Sequence, residues 1–199
     1  LVADLTVFVL AGGKSSRMGT DKALLELAGQ TLLQRTLELA STVSEDVRIV
    51  GAHEKFEEFA PVVEDKYANR GPLGGIHAAL ASTNSDSNLI LAVDLPFLEK
   101  RFLVHLLAEA RTSGAVVTVP RAAGGLQPLC AVYKRKFAAL AEQALAAGRN
   151  KIDTLYAQTT VRIIEEDELA CFAFSPAMFD NLNTQEEWAR ARQRLQAKP

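Results

Sequence analysis

A largely apolar run, Leu5 to Leu10, empties into the loop Ala11-Gly12-Gly13-Lys14-Ser15-Ser16-Arg17-Met18-Gly19-Thr20-Asp21-Lys22, and a helical pattern follows it. Three glycines, three cations and four hydrogen-bonding side chains fall within the eleven residues from Gly12 to Lys22. A strand that opens into such a loop makes a cradle for phosphate. Glycines let backbone N–H groups turn toward an anion with no Cβ in the way, and a helix start adds its partial positive charge. The spacing excludes two common phosphate loops. Gly13-Lys14-Ser15 has the ending of a G-x-x-x-x-G-K-[ST] loop, but Phe8 stands where that pattern needs its first glycine. The dinucleotide fingerprint G-x-G-x-x-G fails because Gly12-Gly13 is followed by no glycine until Gly19.

Beyond the loop, β-branched apolar runs alternate with helical periodicities, which predicts an α/β fold. Strands are expected at Leu5–Leu10, Val47–Val50, Pro61–Val63, Leu89–Val93, Ala115–Val119, Leu129–Tyr133 and Val161–Ile164. Leu33, Leu37 and Ala40 mark one helical face, as do Phe102, Leu106 and Leu107, and Phe137, Leu140, Ala141 and Leu145. Thr184-Gln185-Glu186-Glu187 reads as a capping box that opens a last helix. No repeat or linker breaks the alternation, so residues 1–199 are read as a single domain. The net charge of −2 implies no broad polyanion surface, so nucleic acid is not an expected partner. No apolar run approaches the roughly 18 to 20 residues of a membrane span. The start shows no charged leader with an apolar core, and the expected location is cytoplasmic. Cys130 and Cys171 stand apart in apolar surroundings and are read as two buried thiols. His53, His77 and His105 lack the spacing of a metal site and are read as surface or hydrogen-bonded histidines.

In open α/β sheets ligands collect beyond the carboxyl ends of the strands. Three candidate groups sit there: the glycine loop after the first strand, Asp65 after Val62-Val63, and Asp94 after Leu89-Ile90-Leu91-Ala92-Val93. Lys22, at a helix start, opposes the helix dipole unless a phosphate lies between them. Arg17 carries a planar fork suited to phosphate, or forms a loop salt bridge with Asp21. Asp94 serves either as the cap of the next helix, with Pro96 near its first position, or as a hard oxygen ligand for Mg²⁺. Asn181 and Asn183 alternate along what reads as a short strand and would face the same side, or else form a turn leading to Thr184.

The pattern L-A-G-G-x-S-x-R-M-G-x-D-K resembles that of nucleotidyltransferases with a Rossmann-like domain, and more narrowly that of the molybdenum cofactor guanylyltransferases, the MobA family. Val63-Glu64-Asp65, Gly71-Pro72-Leu73-Gly74-Gly75, Val93-Asp94-Leu95-Pro96-Phe97 and Asn181-Leu182-Asn183-Thr184 follow in that family's order. The resemblance implies a mostly parallel central sheet flanked by helices. It also implies transfer of GMP from GTP to the terminal phosphate of molybdopterin with release of pyrophosphate. Leu10, Ala11, Gly12, Gly13, Lys22, Asp65 and Asp94 would bind GTP, and Asp94 would hold Mg²⁺. Arg17, Gly75, Asn181 and Asn183 would orient the pterin, and Lys22, Asp94 and Arg17 would carry catalysis. The molybdenum-insertion enzyme and molybdoenzyme chaperones would be protein partners. Gly12 favours guanine, because cytidylyl relatives tend to have a second alanine there. Cytidylyl transfer to molybdopterin, another small-molecule nucleotidyl transfer, and a GTP-binding sensor without catalysis are the alternatives. The family often has Asn after the second strand, where this chain has Gly51-Ala52-His53.

Overall fold

A computed structural model describes residues 4–12, 21–67, 70–182 and 184–196. In chain order its elements are β1 (Leu5–Leu10), β2 (Glu26–Leu27), β3 (Gln30–Thr31), α1 (Leu32–Ser41), β4 (Asp46–Val50), α2 (His53–Phe56), β5 (Val62–Val63), α3 (Pro72–Ala81), β6 (Ser87–Ala92) and α4 (Lys100–Ser113). There follow β7 (Val117–Ala122), β8 (Gly125–Leu126), β9 (Cys130–Lys134), α5 (Phe137–Ala146), α6 (Asp153–Tyr156), β10 (Val161–Ile164), α7 (Glu166–Cys171) and α8 (Gln185–Gln196). Two 3₁₀ turns, Lys22–Leu24 and Pro176–Phe179, complete the set among the described residues.

The main sheet runs β10-β7-β9-β6-β1-β4-β5, with β8 paired to β7. Along that path β9 is antiparallel to both of its neighbours, and every other pairing is parallel. β1 is buried on both faces, as a central parallel strand must be. Its alternation divides two cores. Val7 and Val9 pack with Leu33 of α1, Phe102 and Leu106 of α4, and Trp188 of α8. Phe8 and Leu10 pack on the other side with Leu73, Ile76 and Leu80 of α3 and with Phe137 and Leu145 of α5. The sheet is thus the middle layer between two layers of helices.

The predicted helical faces are the buried ones, since Leu33, Ala40, Phe102, Leu106, Leu107, Phe137, Ala141 and Leu145 all lie in the core. The capping box is formed: Glu187 N donates to Thr184 Oγ1 at 3.2 Å and Thr184 N donates to Glu187 Oε2 at 2.9 Å. Two short hairpins were not expected. The β2–β3 turn and the β7–β8 turn both place an Ala-Gly pair at positive φ, Ala28-Gly29 at 54° and 82° and Ala123-Gly124 at 52° and 75°. Asn181 is not on a strand. It follows the 3₁₀ turn Pro176–Phe179, and Asn183, its companion in the shared-face reading, lies outside the described residues. Cys130 is fully buried, but Cys171, at the end of α7, is exposed. His77 and His105 each keep a buried ring nitrogen without a partner, while His53 is exposed beside Glu57. No helix among the described residues is long and apolar enough to cross a membrane.

Candidate active site

β1 sits where the winding of the sheet reverses, with β4 on one side and β6 on the other. The three strands end level, because Leu10 is paired with both Val50 and Ala92. The crevice beyond such a switch point is where an open α/β sheet binds ligands. Gly12 and Asp94 each stand two residues past that level line.

The exit from β1 is pinned on both sides. Ala11 N and Gly12 N both donate to Val50 O, at 3.0 and 3.2 Å, and Val93 N donates to Leu10 O at 3.2 Å. The Gly12 amide is therefore already engaged, and Gly12 contributes space rather than an open donor. A Cβ built on Gly12 meets only Gly51 Cα and Val50 O, both at 3.8 Å, which is ordinary contact. Gly51 is set by packing, since a Cβ there would stand 2.8 Å from two ring carbons of the buried Phe56. That ring leaves no room for a side chain at position 51.

Lys22 Nζ donates to Asp94 Oδ2 at 2.8 Å, joining the 3₁₀ turn after the glycine loop to the turn after β6. The two side chains are only 16% and 26% exposed, so both charges are partly screened from water yet reachable. Asp21 caps this turn by accepting from Ala23 N at 3.2 Å, and its other oxygen accepts from Lys55 of α2 at 2.8 Å. Asp21 in turn holds the Lys55 ammonium above its ordinary pKa. Asp21 is thus engaged by Lys55. Asp94 is not a helix cap, since α4 begins five residues later with Glu99 at its cap position.

Asp65 Oδ1 accepts from Tyr67 N at 2.7 Å and forms a turn after β5. Its carboxylate lies against the first turn of α3, where a Cβ on Gly74 would meet Asp65 Oδ1 at 3.0 Å. The neighbouring Gly75 is buried, and a Cβ there would press on Leu10 Cδ2 at 3.2 Å. Gly75 therefore lets α3 approach the end of β1 closely. Gly71 (φ 68°) and Pro72 start that helix by supplying a left-handed residue and a first position that needs no N–H.

The loop that begins with Asp94 continues to Phe97, which walls a groove of about 220 Å³. Asn181, Leu182, Arg190 and Arg194 line the rest of it with Asp180 and Glu187. Arg194 stacks over the Phe97 ring, 4.1 Å from its centroid, and donates to Ala177 O at 2.9 Å. The structure thus gathers Leu10, Ala11, Gly12, Lys22, Asp65 and Asp94 along one rim, with Asn181 in the adjoining groove. Gly13, Lys14, Arg17 and Asn183 lie outside the described residues. Sequence reasoning missed Phe97, Arg190 and Arg194, although the i, i+4 arginines of α8 gave a usable signal. It also missed Lys55, whose partner is 34 residues away and leaves no local pattern.

Among the described residues no three His, Cys, Asp or Glu side chains converge as a closed metal cage. A single reachable carboxylate is instead the donor set of an ion that keeps waters and substrate phosphates in its shell, which is how Mg²⁺ is usually held.

Residues 7–163 match the family described as the MobA-like NTP transferase domain. The chain is 34% identical over 189 residues to a probable molybdenum cofactor guanylyltransferase of Pelotomaculum thermopropionicum, covering 94% of this chain and 91% of the relative. It is 34% identical over 197 residues to the molybdenum cofactor guanylyltransferase of Desulfosudis oleivorans, covering 97% and 96%. Its fold is similar to the crystal structure of molybdopterin-guanine dinucleotide biosynthesis protein A from Archaeoglobus fulgidus, with a TM-score of 0.84 and 28% identity over 96% of this chain and 98% of that one.

Proposed function

The chain belongs to the MobA-like NTP transferase family, and from that premise we propose that it transfers GMP from GTP to the terminal phosphate of molybdopterin. The observation that carries this reading is the Lys22–Asp94 pair at the switch point of the sheet, a cation for phosphates beside a carboxylate for a divalent ion.

In this reading the nucleotide lies over the loop that follows β1, with its base near Gly12 and its phosphates drawn to Lys22. Asp94 holds Mg²⁺, which when bound supplies Lewis-acid charge on the phosphates. An oxygen of the acceptor's phosphate monoester attacks the α-phosphorus. The new P–O bond forms as the bond between the α-phosphorus and its bridging oxygen breaks, and pyrophosphate leaves with that electron pair. A phosphate monoester is already ionised near neutral pH, so no strong general base is needed. The work of the protein is positioning and charge stabilisation. The groove of Phe97, Asn181 and Arg194 adjoins Asp94 through one loop and suits a flat, polar heterocycle. The Arg194 guanidinium, itself stacked on Phe97, would cover one face of a ring, while Asn181 would pair with its edge. Arg17 and Asn183 join them as pterin contacts in this proposal, and Gly75 sets the close packing behind the site.

The test is formation of the dinucleotide and pyrophosphate from molybdopterin with Mg²⁺ and either GTP or CTP. Product with GTP supports the reading. Product with CTP alone overturns the base assignment, and GTP binding without product from either nucleotide points to a sensor. Asp94→Ala should abolish turnover. The fold should survive with a cost of at most about 1 kcal/mol, the scale of a partly exposed ion pair.

A further inference from the structure

Lys22 and Asp94 are each other's partner at 2.8 Å, yet each is also assigned a different partner during the reaction. Asp94 is to hold a divalent cation, and Lys22 is to hold phosphate. In this fold the ammonium supplies the positive charge that the carboxylate would otherwise take from a metal. We infer that Lys22 is a placeholder that closes the Asp94 metal site until nucleotide draws it away, so that metal and nucleotide load together. This inference rests on the metal role given to Asp94 above.

Lys22 and a divalent ion compete for a single carboxylate. A divalent ion arriving alone meets an ammonium already bound to its ligand, and must either displace it or share the oxygen with it against repulsion. A triphosphate arriving alone attracts Lys22 but leaves Asp94 bare beside four negative charges. When the two arrive together, the ammonium passes to the phosphates and the carboxylate passes to the cation, so each gives up its first partner for another opposite charge. Because both side chains are mostly sheltered from solvent, this pair is screened less than an open surface pair. Asp21 fixes the backbone of the turn that carries Lys22, through Ala23 N, and is itself tied to Lys55.

The probe is Mn²⁺ alone, titrated into the full chain without nucleotide and followed by the electron paramagnetic resonance signal of the free ion. Lys22→Met should bind Mn²⁺ roughly 3- to 10-fold more tightly than the wild type, the range expected when a partly sheltered charge competitor is removed. Lys22→Gln should match it, which separates loss of charge from a change of shape. The gain should vanish in the double variant with Asp94→Asn. If Lys22→Met binds Mn²⁺ no more tightly than the wild type while Asp94→Asn still weakens binding, the placeholder is refuted and the metal ligand stands. If Asp94→Asn changes Mn²⁺ binding in neither background, the metal assignment fails and the placeholder fails with it.

Discussion

Replacing Gly12 by alanine separates what the protein needs from what the ligand needs. Among the described residues the added methyl would face only Gly51 Cα and Val50 O, each at 3.8 Å, which is ordinary contact. The Gly12 φ is not in the left-handed region, so alanine brings no backbone strain. Unfolded-state entropy then makes the change neutral or stabilising by up to about 1 kcal/mol. Any effect on catalysis must come from the space above the loop. If the larger purine occupies that space, one methyl group should discriminate against it by about 1–3 kcal/mol, or roughly 10- to 200-fold. The assay is kcat/KM for GTP and for CTP with molybdopterin as acceptor, alongside urea unfolding of both proteins. The expected result is an unchanged or slightly raised unfolding midpoint and a fall in the GTP-to-CTP ratio of at least tenfold. An unchanged ratio in a stably folded Gly12→Ala protein would refute the placement of the base at Gly12.

Lys55→Ala releases Asp21 from its second anchor and should lower kcat/KM several-fold, chiefly through a higher KM for GTP, with kcat nearly preserved; an unchanged KM would mean that the Asp21 cap positions Lys22 unaided. Ala28→Asn places a residue that tolerates the left-handed region where alanine is held at φ 54°, and should stabilise the chain by about 0.5–1 kcal/mol in urea unfolding. Tyr133 and Tyr156 share a hydrogen bond at 2.8 Å, and burial holds both phenols above their ordinary pKa of 10.0. The unfolded chain therefore loses these protons first, so stability should be full below about pH 10 and fall as pH rises above it. Tyr156→Phe leaves Tyr133 donating to Pro128 O and should make that alkaline decline shallower, measured as unfolding midpoints between pH 9 and 11.

The parts of this fold that were legible before the structure are those written in long periodic runs. Leu5–Leu10 reads as a buried strand because its five apolar residues, interrupted only by Thr6, need partners on both faces, and the sheet supplies them. The faces of α1, α4 and α5 follow from 3.6-residue spacing, and the Thr184 cap from its paired glutamate. The two hairpins escaped because their turns are Ala-Gly rather than Asn-Gly, and each flanking strand outside the main ladder is two residues long. Asn181 follows the 3₁₀ turn Pro176–Phe179 rather than lying on a strand, which so short an alternation does not record. In the site, Lys22 and Asp94 were each legible by position. Their direct contact across 72 residues was not, since local spacing carries no record of which strand ends stand level. Phe97 shows the same limit, because its stacking partner Arg194 comes from the last helix.

The reversed strand β9 has a consequence for how the chain is made. β6 and β7 never touch in the ladder, and β9 is the only strand that bridges them, though it is synthesised after both. A nascent chain that has passed Asp94, two residues beyond the end of β6, already holds β1, β4 and β5, and so can bring Lys22 to Asp94. At that stage the long, apolar flank of β6 from Ser87 to Ala92 is an open edge, the kind of surface that recruits foreign strands. It closes only when residues 130–134 emerge and insert between two strands already made. Chemistry is thus assembled in the first half of the translation product, and protection from aggregation arrives with the second.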